Sequence, residues 1–201
     1  EYPRPGTTVE TLAELKPVFS DFMNYPMDDS HTFGEAARMT WPDLEINHVH
    51  HAGNSSGIVD AAAAVVLASP EYARANKLKP RARIVSSASV AGSPEYNLNE
   101  PVPSARKALA SAGLTVDDID LFEVNEAFAV VPLRFMKLMG VDHDKLNVNG
   151  GAIALGHPIG ATGAILLGTL VDELERRELK RGLVTLCAAG GLAPSMIIER
   201  M

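Results

Sequence analysis

The chain has 201 residues, enough to bury a substantial core in one domain or one and a half. Its composition is that of an ordinary globular protein, with a formal net charge of −7 and no cluster of Lys and Arg, which argues against nucleic-acid and anionic-membrane partners. A single cysteine excludes an intrachain disulfide and a cysteine-based zinc site, and suits a reducing, cytoplasmic compartment.

No apolar run approaches the ~20 residues of a membrane span. The opening "EYPRPGTT" lacks the charged-then-apolar order of a signal peptide, and its start at Glu1 in place of Met suggests a processed or partial piece. In "TVETLAELKPVF" (8–19), Val9, Leu12 and Leu15 share one face behind Thr7 or Thr8 as N-cap, which predicts a short helix. Residues 20–47 hold no period. A loop of that length is functional or disordered, and Phe22, Tyr25, Phe33 and Trp41 argue for a packed surface insertion.

"INHVHHAGNSSG" (46–57) reads as a short strand entering a Gly/Ser turn, and "IVDAAAAVVLAS" (58–69) as a buried helix whose four alanines allow close packing. "ARIVSSASVAG" reads as a strand. "VPSARKALASAGL" is an amphipathic helix with Ala105, Ala108 and Leu109 inward and Gly113 as its stop. "IDLFEVN" predicts a strand, and "EAFAVVPLRFMKLMG" a helix kinked or started late by Pro132. "GATGAILLGTLVDELERRE" predicts a helix, then "GLVTLCAAGG" and "APSMIIERM" an antiparallel strand pair. Strands alternating with helices give a layered α/β unit.

Four stretches could carry chemistry. "NVNGGAIALGHPIGATGAI" (147–165) surrounds His157 with little side-chain bulk, and glycines 150, 151 and 156 permit positive φ or close approach of a ligand. The histidine precedes a helix, beside free backbone N–H groups, although a tight turn with histidine as filler would read the same. Cys187 ends an apolar strand directly before "AAGG", where α/β sheets place reactive groups; the plain alternative is an inert core thiol. Asn125 is either a helix N-cap or an amide that positions a water or an oxyanion, with Ala127 and Phe128 as an apolar wall. "HHAGNSSG" cradles a polar ligand or makes a turn.

"NEAFA", the His157 glycine block, "HAGNSSGIVDAAAAVVL" and "LCAAGG" stand in the order and spacing of thiolases, and the chain resembles the C-terminal half of such an enzyme. The resemblance runs from about Arg4 to Met201, interrupted mainly by 21–47. It implies an α/β fold, a thiolase-like layered βαβαβαββ half, with the end of a loop domain over residues 1–48 and the C-terminal domain over 49–201. It further implies that His157 activates a nucleophilic cysteine and donates to the thioester oxygen. Asn125 would hold a water in that oxyanion hole, and Cys187 would act as acid and base on the α-carbon. Ser56, Ala52, Ala127 and Phe128 match the pantetheine channel, and Arg4 a cation for the nucleotide end of CoA. CoA and acyl-CoA are then substrates, with no bound cofactor or metal, and the subunits form homodimers or homotetramers.

Two departures from the family stand out. The family usually reads Cys-Ile-Gly-Gly-Gly-Gln-Gly, whereas Ala189 here takes the place of a glycine whose N–H serves the second oxyanion hole. That change and the insertion suggest a bulky or steroid-derived acyl group. The family's acyl-accepting cysteine lies in an N-terminal half, and no second cysteine exists here, so the chain alone should form no acyl-enzyme. The rival readings are a non-catalytic acyl-CoA or lipid-binding module, a ketoacyl synthase and a structural half-subunit; His157 and Cys187 together with "NEAF" favour a thiolase.

Overall fold

The computed structural model describes residues 4–201, so residues 1–3 of the segment assigned to a loop domain lie outside the described residues. A four-stranded sheet organises the second half of the chain. Its strands are β1 (Ala82–Ala91), β2 (Leu121–Val124), β3 (Arg181–Thr185) and β4 (Leu192–Arg200), in the order β1-β4-β3-β2. β4 runs antiparallel to both neighbours, while β2 and β3 are parallel, as their helical crossover requires.

Six helices can be named before that crossover ends. They are α1 (Val9–Ala13), α2 (Phe33–Thr40), α3 (Pro70–Ala75), α4 (Pro101–Ala112), α5 (Val130–Met139) and α6 (Ala152–Leu155). The crossover closes with α7 (Thr162–Arg176). Successive strand residues point to opposite faces, so each face has its own core. Phe122, Leu183 and Ile197 meet Ala105, Ala108 and Leu109 of α4 and Val131 and Phe135 of α5. On the other face Leu121, Val184 and Ile198 meet Leu166, Leu170 and Leu174 of α7. α4 stops where expected, at Gly113 in the left-handed region (φ 65°). α5 starts late, at Val130, which leaves Pro132 in its first turn where no N–H is missed. Among the described residues no helix is long and apolar enough to cross a membrane.

The first third departs from the sequence reading. The helix expected over 8–19 ends at Ala13, because Pro17 disfavours helical backbone at Lys16. Thr8 caps it as predicted, its Oγ1 accepting from Thr11 N at 3.2 Å. The insertion is ordered around α2, whose Thr32 and Glu35 form a reciprocal capping box, and around stacked Phe22 and Phe33 rings 4.4 Å apart. No strand forms over 46–57; that segment contributes one isolated bridge, Ser55 with Phe128.

The buried helix expected over 58–69 is also absent. These residues carry no regular structure, and Ile58, Val66 and Leu67 are 104%, 90% and 72% exposed. A twelve-residue helix is marginal in water without a surface to bury its apolar side, and no described residue covers this one. The βαβαβαββ order is therefore reduced by its first strand and first helix, leaving the mixed four-stranded sheet.

Candidate active site

The chemistry-bearing side chains gather at the C-terminal ends of the parallel strands β2 and β3. Asn125 extends that ladder by one residue, its N–H donating to Thr185 O at 3.0 Å. The glycine loop is sewn to the same edge by Asn147, which acts as a substitute strand partner. Its Oδ1 accepts from Val124 N and its Nδ2 donates to Val124 O, both at 2.8 Å. The Glu126 carboxylate accepts from Asn147 Nδ2 (2.9 Å) and from Ile153 N in the first turn of α6 (3.1 Å). The carboxylate of Glu126 stands where a side chain on Gly151 would begin, which explains that glycine. Gly156 has φ 94° and Val59 lies against it. Gly151→Ala is expected to push Glu126 off both donors and lower stability by about 1–3 kcal/mol, read as a fall in Tm.

His157 and Asn125 are in direct contact. Asn125 Nδ2 donates to His157 Nε2 at 3.2 Å, and His157 Nδ1 lies 2.6 Å from Thr162 Oγ1. The threonine hydroxyl donates its one hydrogen to Pro158 O (3.0 Å), so it accepts from the imidazole Nδ1–H. This fixes a neutral ring with a lone pair on Nε2. Burial agrees, pushing the imidazole below its ordinary range. A base at Nε2 that has taken a proton becomes a donor there, next to the amide, so two N–H groups would face one oxygen.

Residues 51–57 lie across this pair as a strap. Ser56 N donates to Ala127 O (3.0 Å) and Ala129 N to Asn54 O (2.8 Å), which ties the strap to the turn after Asn125. Gly57 N donates to Ala152 O (3.3 Å), and His157 N to Gly57 O (2.9 Å), which ties it to the glycine loop. Phe128 packs its ring 4.5 Å from His50 and 5.8 Å from Phe19, so it joins the insertion to the site. Asn125, His157, Ser56, Ala127 and Phe128 are thus brought together. Ala52 is exposed on the strap's outer turn.

Cys187 lies two residues past the β3 end, at the same sheet edge, and no hydrogen bond joins its thiol to His157 among the described residues. Strand alternation packs Leu186 on the α7 core and Cys187 on the α4–α5 core. Burial pushes the thiol up, so it holds its proton at neutral pH. Arg4 is exposed, and its side chain has no hydrogen bond or ion pair among the described residues. Ala189 sits in the β3–β4 turn between two pinned residues. Ala188 N donates to Leu192 O and Gly190 N to Asn97 Oδ1, each at 2.8 Å, while the Ala189 N–H has no partner among the described residues.

Sequence reasoning missed Glu123 and Thr162. Glu123 is 2% exposed at the centre of β2 and shares with Asn125 a cavity of about 130 Å³ under the glycine loop. Burial raises its carboxyl to about 8, and the nearby Glu126 and Glu173 add to the shift. A carboxylate in the otherwise apolar strand "LFEV" was the available signal.

The Thiolase, C-terminal domain family matches residues 78–200. Over its whole length the chain is 44% identical to the acetyl-CoA acetyltransferase of Allochromatium vinosum, covering 45% of that protein. It is 51% identical over 152 residues to that of Syntrophomonas wolfei subsp. wolfei, covering 75% of this chain and 38% of the relative. Among solved structures, Bacillus anthracis acetyl-CoA acetyltransferase superposes with a TM-score of 0.81 at 36% identity, over 100% of this chain and 45% of that one. Human mitochondrial 3-ketoacyl-CoA thiolase in complex with CoA gives 0.78 at 34% identity, with the same coverage. The chain therefore spans a little under half the length of the relatives it matches.

Proposed function

The chain belongs to the thiolase family through its C-terminal domain, and from that premise we propose that it is the half of an acyltransferase that handles the thioester oxygen and the α-carbon of a 3-oxoacyl-CoA. The acyl-accepting cysteine would come from an N-terminal half, in the same chain or in another. The observation that carries this reading is the Asn125–His157 pair under the 51–57 strap.

The neutral His157 would take the proton of the incoming nucleophile at Nε2. It would then donate from the same atom to the oxygen of the thioester as negative charge develops, with Asn125 Nδ2 as second donor, directly or through a water. Cys187, holding its proton, would deliver it to the α-carbon of the departing acetyl-CoA enolate, and in synthesis the resulting thiolate would remove that proton again. The free Ala189 N–H would face the acyl-enzyme oxygen. Ser56, Ala127 and Phe128 would line the pantetheine arm, with CoA itself a substrate and not a resident cofactor. Residues 58–69 and the outer side of α7 would pack on the other half, and the subunits would associate as dimers or tetramers. A non-catalytic CoA-ester-binding module is the second reading; it has a use for the strap but none for a poised imidazole.

Of the acyl classes, the short one is favoured over a bulky one. Relatives named acetyl-CoA acetyltransferase align through 21–47, so that segment does not mark a bulky substrate. Purified complete protein, given acetoacetyl-CoA and CoA, is expected to form acetyl-CoA, and Cys187→Ala to lower the rate by at least about 10²-fold. CoA binding without turnover of acetoacetyl-CoA or any longer 3-oxoacyl-CoA would favour the binding module instead.

A further inference from the structure

Among the described residues, two buried oxygens beside the site have no hydrogen-bond partner, Glu123 Oε2 and Asn125 Oδ1. Their residues are 2% and 1% exposed, and both line the cavity under the glycine loop, with Gly151, Thr162 and Thr169. They stand two positions apart on one extended segment, so their side chains leave the same face with Cα atoms about 6.6 Å apart. Leaving either oxygen unmatched costs free energy. Asn125 Oδ1 can only accept, whereas the Glu123 carboxyl, raised to about 8, carries its proton at neutral pH and can donate; a single water between them can accept from the one and donate to the other. A cavity of about 130 Å³ has room for such a water, since one occupies ~30 Å³ in the liquid.

We infer that Glu123 is a positioning residue for the Asn125–His157 pair: its carboxyl and a buried water hold Asn125 Oδ1 in the cavity and so keep Nδ2 turned toward His157 Nε2. An amide has two nearly isosteric orientations, and only the hydrogen-bond surroundings choose between them. With Oδ1 held, Nδ2–H meets the Nε2 lone pair and the ring keeps its hydrogen on Nδ1, against Thr162. With Oδ1 released, the amide turns over, Oδ1 calls for an Nε2–H, and the ring switches tautomer as the Thr162 hydroxyl rotates from Pro158 O to donate to Nδ1. Nε2 then has no lone pair with which to take a proton. The other charged groups facing Glu123 are already matched. Glu126 is held by Asn147 and Ile153, and Glu173 by Arg176, Arg177 and Asn149. Glu123 is left as the group free to serve Asn125.

The inference rests on the reading of Asn125 and His157 as the proton and oxyanion handlers, and its test separates the two. In the complete protein, Glu123→Leu keeps the volume and removes the bridge, whereas Glu123→Gln keeps a polar partner of the same shape. ¹⁵N shifts of labelled histidine are expected to report His157 as the Nδ1–H tautomer in the native protein and in Glu123→Gln. In Glu123→Leu a large Nε2–H fraction should appear. The Leu variant is expected to lose about tenfold or more in kcat with KM nearly unchanged, and Gln to restore it to within about threefold. An unchanged tautomer in a folded Leu variant would overturn the inference, whatever the turnover. Activity that required K⁺ or Na⁺ against choline, and was lost in Gln, would put a cation in the cavity and overturn it too. Absence of turnover in the native protein would sink the proposed function and leave the tautomer comparison to decide this one.

Discussion

Replacing His157 by alanine in the complete protein is expected to lower kcat for acetoacetyl-CoA thiolysis by at least about 10³-fold, while KM for CoA moves little. The size of the effect follows from one atom serving twice. Nε2 first takes a proton, worth about 10²–10⁴ as general base catalysis, and then donates to the developing oxyanion, worth about 10²–10³. Effects of groups acting as a unit do not multiply, so the lower bound is the safer figure. His157→Asn places an amide near the same point and should recover donation but not proton transfer, so it should fall between alanine and the native protein. The imidazole caps no helix with its side chain and is only half-buried, so the fold should survive both changes. Equal kcat in the native and alanine proteins would remove His157 from the chemistry.

Thermal stability is expected to decline as pH rises from about 5 to 8, and Glu123→Gln to cancel that decline. The unfolded carboxyl titrates near its ordinary 4.5, while the folded one is raised to about 8. Below about pH 4.5 it is protonated in both states and contributes no slope. Between the two values the fold keeps a proton that the unfolded chain has released, so stability falls as pH increases. Above about 8 the penalty is complete, at roughly 1.4 kcal/mol per unit traversed, several kcal/mol in all. His157, whose folded value is lowered, gives the opposite slope near pH 6, but it is common to both proteins and drops out of their difference. The Tm advantage of the Gln variant should therefore widen from pH 5 to pH 8. A constant difference would mean that Glu123 is ionised and paired in the fold. The native carboxylate is thus retained against stability, as groups held for function are.

Much of the second half was legible because its patterns are local. Gly113 ends α4 through its own φ, Pro132 sets where α5 starts, and the alternation in "IDLFEV" sorts β2 onto two cores. The glycine block announced a site for a physical reason now visible: Gly151 makes room for Glu126, and Gly156 for Val59. "IVDAAAAVVLAS" failed because apolarity specifies that a segment will be covered but not by what. Cys187 and His157 were read together as part of a thiolase signature, and such motifs do not say which core a residue packs on; strand alternation puts the thiol on the α4–α5 core. Thr162 was hidden by its distance of five residues from His157, a relation that only the turn at Pro158 creates.

The strap has a mechanical corollary. Because Gly57 is fastened to the His157 backbone and Ser56 to Ala127, a tug on the long arm of the proposed thioester would be felt at the imidazole and at its amide neighbour at once. Truncated thioesters that lack the arm should consequently lose speed at saturation more than they lose grip, since here the handle and the blade are forged in one piece.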